Sequence, residues 1–141
     1  MTTPSTDPPT RPRKGLHVAL WIVQVLLGLF FLMAGVTHGL LPIAWAAQSA
    51  PWVHDLPVPL VRFIGIAELA GAVGVVFPAL LRIVPVLTPL AATGLVVIMM
   101  LAILFHMSRG ETRVVGLHIT VAAAAAFVAW GRFRKPPIDP R

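Results

Sequence analysis

Four long apolar runs, separated by short polar or proline-marked breaks, dominate the chain, at about Leu16 to Leu41, Leu60 to Leu80, Val84 to Met107 and Val114 to Trp130. A helix needs about 20 apolar residues to cross a hydrocarbon core of roughly 30 Å, and helices satisfy their own backbone groups there. Each run therefore predicts a transmembrane helix, the fourth near the lower limit of length. Pro57 and Pro59 precede the second run, and Pro85 and Pro89 fall in the first turns of the third, where a missing N–H costs little. The 42–59 stretch is the one long ordered connection, and it is expected to lie on the outer surface as a lid carrying Trp45, Trp52, His54 and Asp55. The other connections are tight: one around Arg82, one at Ser108–Thr112, where Gly110 can supply a positive φ. Tight turns force neighbouring helices to reverse direction. The expected architecture is all-α, an integral membrane antiparallel four-helix bundle over residues 16–131.

Composition agrees with lipid as the solvent: 57% of residues are hydrophobic and only 11% charged, far outside globular usage. Without cysteine, the chain has no disulfide, thiol relay, Fe–S cluster or thiolate zinc site of its own. Residues 1–15 read as a disordered basic tail and 132–141 as a basic, Pro-rich one. Arg11-Pro12-Arg13-Lys14 resembles the n-region of a signal peptide, but the apolar run after it exceeds a typical h-region, so an uncleaved first helix is expected.

The net charge of +6 does not point to nucleic acid, because the basic residues flank the apolar runs and form no groove-sized patch. It points to orientation instead. Arg11, Arg13, Lys14, Arg82, Arg132, Arg134, Lys135 and Arg141 fall on one side of the bundle, and only Arg62, Arg109 and Arg113 on the other. The positive-inside rule then places both termini in the cytoplasm; the expected location is the inner (plasma) membrane of a bacterial cell. Trp21 and Trp130 fall near the inner interface, Trp45 and Trp52 near the outer one.

Helices in lipid associate through small residues that let backbones approach. Gly28, Gly35 and Gly39 with Gln24 mark such a face on the first helix; Ala67, Ala70, Gly71 and Gly74 mark one on the second, bordered by Glu68. His118 with Ala122, Ala125, Ala126 and Ala129 marks one on the fourth. Packing alone accounts for these stripes.

Apart from Arg62 at the outer end of its run, each helix carries one ionisable residue within its outer half: His38, Glu68, His106 and His118. At 1.5 Å per residue they lie about 4–5, 12, 2 and 6 Å inside their outer ends. Such residues are costly in hydrocarbon, so the bundle interior is the economical place for them, as a ligand pocket beneath the lid. His118 or an outer-facing water pocket is a better expected partner for Glu68 than Arg62, which lies about 9 Å higher. His54, Arg62, Arg109 and Glu111 are the outer-surface polar candidates. The histidines are open to three readings: interfacial structural residues, a proton-exchanging pocket for a small ligand or quinone, and a metal or bis-His haem site. Metal is disfavoured by the lack of HxxxH or ExxH spacing, and haem because a pair of His on different helices occurs by chance. No catalytic motif is present.

The runs Ala34-Gly-Val-Thr-His38, Arg62-Phe-Ile-Gly-Ile-Ala-Glu68-Leu-Ala-Gly71, Phe77-Pro78 and His106-Met-Ser-Arg109-Gly110-Glu111 together resemble the DoxX-like family of small four-helix membrane proteins. The resemblance covers roughly Leu16 to Trp130, and its most specific parts are the Gly65, Glu68, Gly71 register and His-x-x-Arg-Gly at His106, Arg109 and Gly110. The family takes its name from a membrane subunit of an archaeal thiosulfate:quinone oxidoreductase. Other members are linked to redox-stress complexes or act as assembly factors for membrane proteins. The resemblance implies two functional classes: a subunit or accessory partner of a quinone-linked membrane redox system, and a non-catalytic assembly or scaffold partner of another membrane protein. Transport of a small molecule is a weaker third, because besides Gln24 the inner half offers little polarity. A thiol-exchange role is not carried over to a chain without cysteine.

Overall fold

In the computed structural model, residues 14–134 are described; residues 14–15 and 132–134 of the expected tails belong to helices, and the rest of those tails lies outside the described range. Five α-helices and one 3-10 turn make up this span, with no strand among the described residues: α1 Lys14–Gly39, α2 Ile43–Ser49, a 3-10 helix Pro51–His54, α3 Val58–Leu81, α4 Leu87–Ser108 and α5 Thr112–Arg134. The four longer helices are each long and apolar enough to cross a membrane.

The helix ends follow local chemistry. Pro42 biases Leu41 away from helical geometry, so α1 closes at Gly39, with the N–H groups of Leu40 and Leu41 both bonded to the Val36 carbonyl at 3.0 and 3.1 Å. Beginning two residues before the apolar run, α3 places Pro59 in its first turn, where proline is preorganised. By contrast α4 starts later than its run, because Val84 adopts a left-handed φ of 45° that a helix cannot use. At the far end of α4, Gly110 takes φ 73° and the N–H groups of Gly110 and Glu111 bond the carbonyls of Met107 and His106, a Schellman closure. Longer than its apolar run, α5 takes in Thr112 and Arg113 at one end and Gly131–Arg134 at the other, since amphipathic side chains extend a helix into the interface.

The 42–59 connection is more ordered than a loop. Ala46, Ala50, Val53 and Val61 are buried together, so α2 and the 3-10 turn form a small second core over the end of α3.

The long helices pack in a ring, α1 on α3, α3 on α4, α4 on α5 and α5 back on α1. Ascending positions of α1 meet descending positions of α3: Gly28 lies by Ala72 and Val76, Gly35 by Leu69 and Gly65, Gly39 by Gly65. The approach is closest where Gly65 faces Gly39, since a methyl group there would run into the backbone of His38 and Gly39. The main core is built from Leu27, Phe31, Val75, Leu95, Met99 and Val128. We refer to the end carrying α2 as the lid end and to the end where α1 begins and α5 finishes as the terminal end.

Candidate functional site

At the lid end two polar pairs face the interior. His38, in the last turn of α1, brings its Nδ1 to 2.7 Å from Oε2 of Glu68 on α3. Glu68 is only 5% exposed, and its partner is His38 rather than the expected His118. The close contact of Gly39 with Gly65 puts the pair in register, one residue and three residues along from the contact on the two helices.

His106, in the last turn of α4, forms the second pair with His118 of α5. Their ring centres lie 4.8 Å apart with the planes tilted by 39°, and His106 Nδ1 lies 2.5 Å from Oε2 of Glu111 in the α4–α5 turn. His118 Nδ1 lies 2.7 Å from the Val114 carbonyl. A carbonyl can only accept, so Nδ1 of His118 carries the proton and, in the neutral ring, Nε2 keeps its lone pair.

The two pairs are joined by aromatic rings that sequence reading missed. Trp52, from the 3-10 turn, sets its ring 4.9 Å from His38 and 6.2 Å from Phe105, which in turn lies 5.3 Å from the His106 ring. Sequence alone places Trp52 in an interfacial belt and gives Phe105 no role; no spacing in the chain couples a lid residue to the end of α4. In all three histidines the hydrogen bond engages Nδ1, and none of the Nε2 atoms is both fully buried and unpartnered. Each therefore offers a second ring nitrogen for a further hydrogen bond.

The surrounding charges fasten this end. Arg109 reaches Asp55 of the lid at 2.8 Å and Glu111 at 2.8 Å. Hydrogen bonding from His106, then from Arg109, holds the Glu111 carboxyl below its ordinary value, and the Glu111 bond holds Arg109 above its own. Arg62 donates to the carbonyls of His38 at 3.1 Å and Leu41 at 2.7 Å, capping α1 instead of meeting a carboxylate. His54 is exposed on the lid and joins neither pair. Among the described residues, no three His, Asp or Glu side chains converge as a metal ion would require.

The arrangement can exchange protons and orient a small polar headgroup. It holds a carboxyl hydrogen-bonded to one imidazole and two further imidazoles side by side, flanked by flat aromatic faces. The model of the DoxX-like family matches residues 22–130, a span that takes in every residue of this cluster. No curated protein and no solved structure matches the chain.

Proposed function

The chain belongs to the DoxX-like family, and from that premise we propose that it serves as a membrane subunit or accessory partner of a quinone-linked redox system. The lid-end cluster would receive the quinone head. The observation that carries this reading is the continuous contact from Glu68 through His38, Trp52 and Phe105 to His106 and His118. A quinone head is flat, carries two oxygens that gain or lose protons with the ring's electrons, and enters laterally from lipid. Trp52 and Phe105 supply flat faces, the free Nε2 atoms supply hydrogen bonds to those oxygens, and Glu68 and the imidazoles supply proton acceptors. The electrons are taken up by a partner redox subunit.

We further propose that the bundle is antiparallel, with both termini cytoplasmic in a bacterial inner membrane and the lid end facing outward. The opposed registers of α1 and α3 support the first point, and the distribution of Lys and Arg supports the second. Quinone extracted from protein purified in native lipid tests the central reading. Wild type should carry quinone above the level of the surrounding lipid, and Glu68→Leu should not; equal content in both sinks the quinone role.

One observation favours the second reading, a non-catalytic partner of another membrane protein. Gly116, Thr120 and Ala123 lie exposed on one face of α5, with open space around Gly116. Small residues at that spacing let a foreign helix approach closely. Gly116→Leu would then abolish co-purification of a partner while leaving quinone content unchanged.

A further inference from the structure

The terminal end holds a second buried polar group that the lid-end cluster does not use. Gln24 of α1 is fully buried, donates from Nε2 to the Val75 carbonyl at 2.5 Å and accepts at Oε1 from Arg132 Nε at 2.9 Å. The Arg132 guanidinium also lies over the Trp21 ring, 5.1 Å from its centre. These contacts fix the orientation of the guanidinium, yet its Nη2 is buried without a hydrogen-bond partner, and no carboxylate among the described residues lies within ion-pair distance of it.

Thr88 of α4 is a second unpartnered group towards this end. It is 1% exposed, begins the buried stripe of α4 that continues through Ala92 and Leu95, and leaves its Oγ1 unbonded. Gly74 faces Ala91, one residue from the level of Val75, so Thr88 lies about one helical turn towards the terminal end from the Gln24 bond.

A guanidinium at the edge of hydrocarbon whose Nη2 has no acceptor is costly unless an anion completes it. The guanidinium fork matches the oxygens of a phosphate, and the exposed Arg82 at this end would draw anionic headgroups towards it. We propose that Arg132, positioned by Gln24 and Trp21, forms a phosphate-binding site filled by the headgroup of an anionic phospholipid.

The full chain in neutral detergent tests this, with its unfolding temperature followed as phosphatidylglycerol, phosphatidylcholine or inorganic phosphate is added. Phosphatidylglycerol should raise the midpoint saturably, and the other two should not. Arg132→Gln should lose that rise while Arg134→Gln keeps it. Should Arg132→Gln fail to fold, Arg132→Lys keeps the charge without the planar fork and should need at least tenfold more lipid for the same rise. A variant with Trp21 as its sole tryptophan should show a saturable emission change with phosphatidylglycerol alone. An equal rise in the Arg132→Gln and Arg134→Gln variants, an equal rise with both lipids, or no rise at all overturns the proposal; an equal response to inorganic phosphate transfers the site to free phosphate and overturns the lipid source.

Discussion

His38 Nδ1 and Glu68 Oε2 lie 2.7 Å apart, joining the last turn of α1 to the middle of α3. The bond exists because Gly39 and Gly65 let the two backbones touch. A larger residue at either position would separate the helices and pull the pair apart. It also accounts for how a carboxyl well inside an apolar helix is tolerated: it has a partner able to donate or accept.

Replacement of Glu68 should therefore depend on shape and polarity. Glu68→Gln keeps a hydrogen bond to His38 and should melt within about 1 kcal/mol of wild type, whereas Glu68→Leu leaves the imidazole nitrogen unpaired and should cost about 1–3 kcal/mol. Thermal unfolding of the three proteins in one detergent decides it. If the Leu variant melts like wild type, the buried bond contributes nothing.

Gly65→Ala should destabilise by about 2–3 kcal/mol, since the added methyl meets backbone that cannot swing aside. Gly94 has open space around it, and Gly94→Ala should be neutral or gain about 0.5–1 kcal/mol from helix propensity. Equal melting shifts for the two would show that α1 and α3 do not touch at Gly65.

Stability should also fall in acid through Glu111. Its carboxyl is held below the ordinary carboxylate value, first by the His106 hydrogen bond and then by Arg109, which also binds Asp55. A depressed folded value means the contribution is present above the ordinary carboxylate range, about pH 4.3, and is lost as pH drops through the lowered value. The informative quantity is the difference from Glu111→Gln, which isolates this carboxyl. The wild-type melting temperature should converge on that of the variant as pH falls below the ordinary carboxylate value of about 4.3. A constant gap across that range would contradict the assignment.

Orientation can be read by labelling single cysteines with a membrane-impermeant reagent in intact cells. Cysteine at Ser49 or Gly110 should label; cysteine at Ser5 or Pro137 should not. The reverse pattern would invert the proposed topology.

The sequence shows the helices and the inward polar residues more clearly than it shows their partners. Runs of apolar residues broken by prolines and arginines specify four spans directly, because hydrocarbon tolerates little else. Glu68 and the histidines stand out for the same reason, as costly residues in apolar surroundings. Which of them meet depends on helix rotation and register, and these rest on contacts such as Gly39 with Gly65 that have no local signature. Nor does the chain announce that Trp52 crosses from the lid to reach both His38 and Phe105. In the sequence Arg132 counts only as an orienting charge, since nothing in its neighbourhood points to Gln24, 108 positions away.

Trp52 makes the central claim measurable, because it lies between the two polar pairs and a bound quinone quenches tryptophan emission on contact. With Trp21, Trp45 and Trp130 replaced by phenylalanine, the remaining emission reports on the lid-end cluster alone. Titration with a short-chain quinone should then quench it saturably, and Glu68→Leu or His106→Leu should reduce the apparent affinity at least tenfold. Quenching that rises linearly without saturation, and equally in those variants, would show that quinone merely partitions into the surrounding detergent or lipid and that the cluster does not bind it.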